Sequence, residues 1–239
     1  LSDTMNSMAE RVQQLLATHR ELSSAISHEL RTPIARMRFA LEMLAGTDER
    51  SERERLWTMM EADLDELDHL IDTSLTYARF EREAPEPHFS SVRFADWLSD
   101  EVDAVRLLGR DLKITVDTTQ LPQDLAVDVD RKAMPYALRN LLRNAFRYAS
   151  ARIVVSAELR EGNIVVHVDD DGIGIPPEDR ESVFSAFTRL DRSRDRATGG
   201  YGLGLAITRR VLELHGGTAT ADSAPLGGAR FTLAWPLAQ

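Results

Sequence analysis

Apolar residues recur at helical spacing through the first part of the chain: Val12, Leu15, Leu16, Leu22, Ile26, Leu30, Met37, Leu41 and Leu44. Gly46-Thr47-Asp48 interrupts the run. A second begins near Ser51 and continues through Leu56, Met60, Leu64, Leu67, Leu70, Ile71, Leu75 and Ala78. Polar and acidic residues fill the faces between them. The pattern predicts a hairpin of two helices with arms of roughly 45–65 Å, at about 1.5 Å of rise per residue. Pro33 lies inside the first arm, where it removes a backbone hydrogen bond and is expected to kink the helix just after His28. Two helices cannot enclose their own apolar stripes, whereas two hairpins close into a four-helix bundle, so a homodimer is expected.

Pro85 and Pro87 mark a linker, placed at residues 85–92, because proline and the residue before it resist helix. Beyond it the period changes repeatedly. Phe94 to Leu108 reads as a helix, Lys113 to Thr118 and Leu125 to Val129 as strands, and Arg131 to Tyr148 as a second helix. Arg152 to Arg160 and Asn163 to Asp169 read as long strands joined by a hairpin turn at Glu161-Gly162. A loop-rich stretch leads to a helix at about Gly202 to His215, then to strands at Thr218 to Ser223 and Ala229 to Trp235. Strands and helices segregate, which predicts an α+β sandwich of sheet and helices rather than a doubly wound parallel fold.

Composition narrows the classes. The 239 residues suit two modest domains, and a hydrophobic fraction of 43% is ample for a core. No apolar run approaches the ~18 residues needed to cross a membrane. Cysteine is absent, which excludes disulfides and thiolate metal sites. A formal charge of −10 argues against general binding of nucleic acid, which calls for a basic face. Lys113 and Lys132 are the only lysines, so a cation that grips phosphate here is expected to be a guanidinium, planar and bidentate. The chain starts at Leu1 with neither a methionine nor a signal peptide, and is expected to be a fragment.

Several motifs carry candidate chemistry. Asn140 and Asn144 stand four residues apart, so both amides project from one helix face. Asp170-Asp171-Gly172-Ile173-Gly174 ends an apolar strand, where glycines let backbone turn and approach a ligand closely. Gly200-Tyr201-Gly202-Leu203-Gly204 opens a helix whose amide dipoles suit phosphate. Neither box is a Walker loop or a dinucleotide fingerprint, since no Gly-Lys-Ser/Thr follows and the spacing differs. Each alone is equally well explained as a turn or a cap. His28 lies far from these boxes in Ser27-His28-Glu29-Leu30-Arg31-Thr32-Pro33. A neutral imidazole has one unprotonated nitrogen for attack on a phosphate, and Glu29 beside it can orient or deprotonate the other.

The asparagine pair, the aspartate-glycine box, Phe184-Ser185-Ala186-Phe187, the second glycine box and Gly227-Gly228 follow one another in the order of the Bergerat-type ATP fold. With the His28 string, nearly the whole chain resembles the sensor histidine kinases of two-component signalling. That resemblance implies an all-α helical hairpin forming a dimeric four-helix bundle, followed by an α+β sandwich ATP-binding domain. Residues 1–16 resemble the end of a HAMP relay helix, 17–84 the dimerisation and histidine phosphotransfer hairpin, and 93–239 the catalytic ATP-binding domain. The implied cofactors are ATP and Mg2+. Asn144 would hold magnesium with Asn140 beside it, Arg147 would approach phosphate and Tyr148 the adenine. Asp170 would accept from the adenine amino group, with Gly172, Gly174, Gly200, Gly202, Leu203 and Gly204 shaping the pocket. The basic run from Arg189 to Arg196 resembles an ATP lid, with Arg189 as a phosphate contact. His28 would carry the phosphoryl group, and Thr32 would place water for the reverse phosphatase reaction. Many relatives have lysine at Arg147 and proline at Ala186. The implied partners are a second copy of the chain and a response regulator of the OmpR class. The implied location is the cytoplasmic portion of an inner-membrane sensor, reaching the membrane only through segments upstream.

Two other functions share parts of this pattern. An ATP hydrolase of the gyrase and heat-shock chaperone group has the same nucleotide fold but places a glutamate base where Asn140 stands, and an amide cannot take a proton from water. A dimeric scaffold with a degenerate pocket would keep the hairpin alone.

Overall fold

In the computed structural model the described residues are 2–82, 87–106, 112–190 and 201–238, with side chains described only from Ser23 in the first helix and as far as Phe80 in the second. The chain divides into two compact units, one ending at Leu75 and the other beginning at Thr76.

The first unit is the expected hairpin. Helix α1 (Ser2–Gly46) continues through Pro33 without interruption, and helix α2 (Arg50–Arg82) follows a three-residue turn at residues 47–49. Ala40, Leu56 and Leu70 are buried between the arms. Arg36 bridges them electrostatically: its Nε donates to Asp63 Oδ1 at 2.7 Å, and its terminal nitrogen pairs with Glu66. The remaining apolar stripe is exposed among the described residues. Ile34 and Leu41 on α1, and Trp57, Leu64 and Ile71 on α2, recur every seven residues and are 44–53% exposed. Among the described residues, no helix is long and apolar enough to cross a membrane.

The second unit is a five-stranded sheet with helices over one face. The strands are β2 (Lys113–Asp117), β4 (Arg152–Arg160), β5 (Asn163–Asp170), β6 (Thr218–Ser223) and β7 (Ala229–Pro236), ordered β2-β4-β5-β7-β6. The β2–β4 pair is parallel and the others are antiparallel. Glu161 (φ 51°) and Gly162 (φ 79°) make the β4–β5 turn, two left-handed residues in succession as a tight hairpin requires. Helices α3 (Phe94–Arg106), α4 (Met134–Tyr148) and α5 (Gly204–Leu214) bury Leu98, Leu138, Leu141, Leu142 and Val211, and the sheet contributes Ile153, Val155, Ile164, Val168 and Leu233 to the core.

Two expectations need correction. Residues 89–92, assigned to the linker, form with Arg93 a strand β1 (Phe89–Arg93) that pairs antiparallel with β3 (Ala126–Asp130). Helix α4 starts at Met134 rather than Arg131, because Asp130 Oδ1 accepts the N–H groups of Lys132 and Ala133 and holds residues 131–133 in a turn. In addition, the last turns of α2 belong to the second unit, where Tyr77 and Phe80 are buried and the Phe80 ring meets Tyr136 edge-on at 6.5 Å.

Candidate nucleotide pocket and phosphoacceptor histidine

Asp170 ends the central strand β5 and is 2% exposed. Its Oδ1 accepts two backbone N–H groups, Gly172 at 2.9 Å and Ala229 at 3.1 Å. Oδ2 has no partner among the described residues, so one carboxylate oxygen is held rigidly while the other remains available to a ligand. Burial pushes the Asp170 carboxyl above its ordinary pKa, with Asp171 and Asp169 adding to the effect, while the Ala229 and Gly172 N–H groups oppose it.

Glycine is required around this aspartate for lack of room. A Cβ on Gly228 would lie 2.4 Å from both Asp170 Oδ1 and Gly172 N, and one on Gly172 would lie 2.3 Å from the Tyr148 carbonyl oxygen. The aspartate-glycine box, the Gly227-Gly228 turn and the end of α4 therefore meet at one point. Gly174 (φ 70°) is also here, 3.4 Å from the Gly228 carbonyl oxygen measured from where its Cβ would be. Asp171 plays a different part. Its Oδ1 accepts from Ser150, Ala151 and Arg152 N–H at 2.9, 3.0 and 3.1 Å, tying the box to the start of β4. These backbone donors, Ala151 foremost, hold its carboxyl below the ordinary range.

The second glycine box meets the asparagine helix. Asn140 Nδ2 donates to the Gly204 carbonyl at 3.0 Å, and Thr208 Oγ1 donates to the same oxygen at 3.0 Å, so α4 and the first turn of α5 are clasped together. Asn144, one turn along α4, is half-buried, and its amide has no partner among the described residues. Tyr148 is half-buried at the helix end, Arg147 is half-buried and engaged within the fold, and Leu203 is fully buried. Gly202 (φ 69°) abuts Phe187, whose own φ is 61°; Phe187 N–H donates to the Gly202 carbonyl at 2.9 Å. Phe184 anchors this loop, packing edge-on against Phe231 at 6.2 Å with the Arg209 guanidinium 4.9 Å above its ring. Arg189 is exposed and engaged; Gly200 and the rest of the basic run, Asp191 to Arg196, lie outside the described residues.

In the hairpin unit, 73% of the His28 side chain is open and its Nδ1 lies 3.3 Å from Glu29 Oε1. With Nδ1 protonated and donating to Glu29, Nε2 is the nitrogen with the free lone pair. Thr32 is half-buried one turn further on, on the same side of α1.

Several parts of the pocket went unread in the sequence. Ala229 contributes only a backbone N–H and leaves no side-chain signal. Asp171 was legible as an acidic turn residue but its three backbone N–H donors were not. Thr208, four residues after Gly204, carried a readable hint: threonine inside a helix commonly bonds a carbonyl one turn back.

Residues 18–83 match the His Kinase A (phospho-acceptor) domain, and residues 129–239 match the histidine kinase-, DNA gyrase B- and HSP90-like ATPase family. The chain is 40% identical to the sensor protein RstB of Escherichia coli K12, over 99% of this chain and 53% of that protein. It is 32% identical to the sensor histidine kinase CpxA of the same strain, over 98% of this chain and 50% of the relative. The chain thus spans about half the length of the curated relatives it matches. Among solved structures, histidine kinase ThkA in complex with the response regulator protein TrrA aligns with a TM-score of 0.75 at 24% identity, over 94% of this chain and 64% of that one, a likeness of fold.

Proposed function

Because this chain belongs to the sensor histidine kinases and joins their phospho-acceptor hairpin to their ATPase-type domain, we propose that it transfers the γ-phosphoryl group of ATP to His28 and passes it on to an aspartate of a response regulator. The observation that carries this reading is His28 itself: exposed, beside Glu29, with Nε2 open to an in-line donor. The Nε2 lone pair forms the N–P bond, ADP leaves with the electrons of the broken O–P bond, and Glu29 receives or shares the Nδ1 proton.

Asp170 Oδ2 accepts from the adenine amino group while Tyr148 and the glycine boxes enclose the base. Asn144 fits a magnesium ion carried in on the triphosphate, since a neutral amide oxygen is a hard ligand and the phosphates supply the negative charge. When bound, that ion neutralises charge building on the phosphate oxygens. Asn140 clasps α5 and offers no carboxylate base, which disfavours hydrolysis to free phosphate. Arg147 and Arg189 steer phosphate. Thr32 places water for the reverse reaction, removal of phosphate from the regulator.

The heptad-spaced apolar stripe supports homodimerisation through a four-helix bundle. An OmpR-class regulator is the proposed partner. Residues 1–16 act as the end of a HAMP relay from membrane segments upstream, which places the chain on the cytoplasmic side of an inner membrane.

Incubation with γ-labelled ATP and magnesium tests the reading. The expected result is protein-bound label that is lost in acid and survives base, as a phosphoramidate is. Release of free phosphate with no protein label would instead establish a hydrolase, and absence of nucleotide binding a scaffold.

A further inference from the structure

The strand that ends in Asp170 is held unequally on its two sides. Toward β4 the ladder runs to its end, with Ile153 opposite Asp170. Toward β7 it stops one residue short, at Asp169 opposite Arg230. Past that last rung the tie between β5 and β7 is made by a side chain: Ala229 N–H donates to Asp170 Oδ1 at 3.1 Å. Pairing opens first at the end of a ladder. The bond that orients the candidate adenine acceptor therefore sits where the pairing of these strands is weakest.

The last rung carries more than backbone. Successive side chains alternate across a sheet, so Asp169 and Arg230 lie on the face opposite the Asp170 side chain. There Arg230 grips Asp169 with both arms of its fork: Nε donates to Oδ1 and Nη2 to Oδ2, each at 2.7 Å. Asp169 is buried and Arg230 half-buried. Two parallel charge-assisted bonds fix direction as well as distance. Here they cross between the strands, one residue from Asp170 on β5 and one residue from Ala229 on β7. A buried ion pair is a poor source of net stability, because desolvation offsets the attraction, and its best attested use is to set register.

We propose that Arg230, through its clamp on Asp169, is a positioning residue for Asp170: it holds β5 and β7 in the register that aims Oδ2 at the adenine amino group. The inference rests on the reading of Asp170 as the adenine acceptor. Arg230 touches no nucleotide in this account and acts only through the end of the sheet.

The test is calorimetric titration with ADP and with purine riboside diphosphate, the same nucleotide without the 6-amino group. Magnesium is present throughout, and a melting curve is taken for each protein. Wild type should bind ADP at least about tenfold more tightly than the analogue, the worth of one hydrogen bond to a charged group. Arg230→Gln should bind ADP about tenfold more weakly and the analogue within about twofold of wild type, so that the preference for the amino group disappears. Because Arg230→Gln also strands the Asp169 carboxylate, the double variant Asp169→Thr/Arg230→Thr is measured beside it. A cross-strand threonine pair suits a sheet and leaves no unpaired charge. This protein should melt close to wild type and show the same selective loss of ADP. A merely structural role would weaken both nucleotides alike. Equal losses for the two nucleotides, or a double variant that keeps the wild-type preference, overturn the proposal. A wild-type protein that binds the two equally, or binds neither, refutes the reading of Asp170 itself, and that failure is visible before any variant is compared.

Discussion

In the helical hairpin the candidate nucleophile stands in water, with 73% of the His28 side chain open and Glu29 at 3.3 Å. In the α+β unit, Asp170 is 2% exposed and wrapped by backbone from the Gly172 turn and the Gly228 turn. An exposed nucleophile must reach a partner molecule, so its neighbours are few and the residue itself carries the function. A buried recognition group works by exclusion, and its function is spread over glycines that do nothing except leave room. The two regions should therefore respond differently to small substitutions.

The largest effect is expected in the pocket. Gly228→Ala would put a methyl 2.4 Å from Asp170 Oδ1, and the aspartate or the Gly172 turn must shift. We expect nucleotide affinity to fall by about a hundredfold, as for a misplacement near 1 Å at a reacting centre. Titration with ATP and magnesium checks this, and the hairpin's dimerisation should be unaffected. An alanine variant with normal affinity would break the contrast.

Leu64→Asp makes the complementary break. Leu64 is 53% exposed on the heptad stripe, and a charge there would be buried unpaired in a bundle. The dimer constant should weaken by about a hundredfold, the equivalent of ~3 kcal/mol. Sedimentation over a concentration series reads this out, while nucleotide binding should remain.

Arg36→Ala is a milder probe of the hairpin. It strands Asp63, which is 3% exposed, without a cation. Arg36 itself is about a third open to water, so screening trims the cost to about 1–2 kcal/mol of hairpin stability, measured by denaturant unfolding.

The smallest effect is a pH dependence of the α+β unit. His215 is fully buried; its Nδ1–H donates to the Val211 carbonyl at 2.8 Å and its Nε2 accepts from Asp130 N–H at 3.0 Å. That arrangement needs a neutral ring, and burial lowers its pKa from the ordinary value, against the Val211 bond and Asp130. The unfolded chain then takes up a proton that the folded one refuses. Stability should be full above the unfolded value near pH ~6.5 and decline as pH falls below it. Melting temperatures from pH 7.5 to 5.5 should show the decline in wild type and a flatter profile in His215→Gln.

The legible parts of the fold were those in which a local rule and a distant contact agree. The hairpin arms, the β4–β5 turn at Glu161-Gly162 and the glycine boxes all follow from spacing or from a positive φ that residues nearby announce. Strand β1 was not legible. Its Ser90-Ser91 reads as loop, and its pairing depends on β3, with Phe89 opposite Asp130 about forty residues away. The candidate site divides the same way. Asp170 and its glycines announced themselves as a box, whereas the clasp from Asn140 to the Gly204 carbonyl arises only once α4 and α5 are packed.

The claim that the two regions divide the labour, one holding the nucleotide and the other receiving phosphate, has one direct test. His28→Ala is incubated with γ-labelled ATP and magnesium beside wild type, and nucleotide affinity and acid-labile protein label are measured on the same samples. The account predicts wild-type affinity in the variant and no label. Label that persists without His28, or affinity that falls with it, would contradict that division.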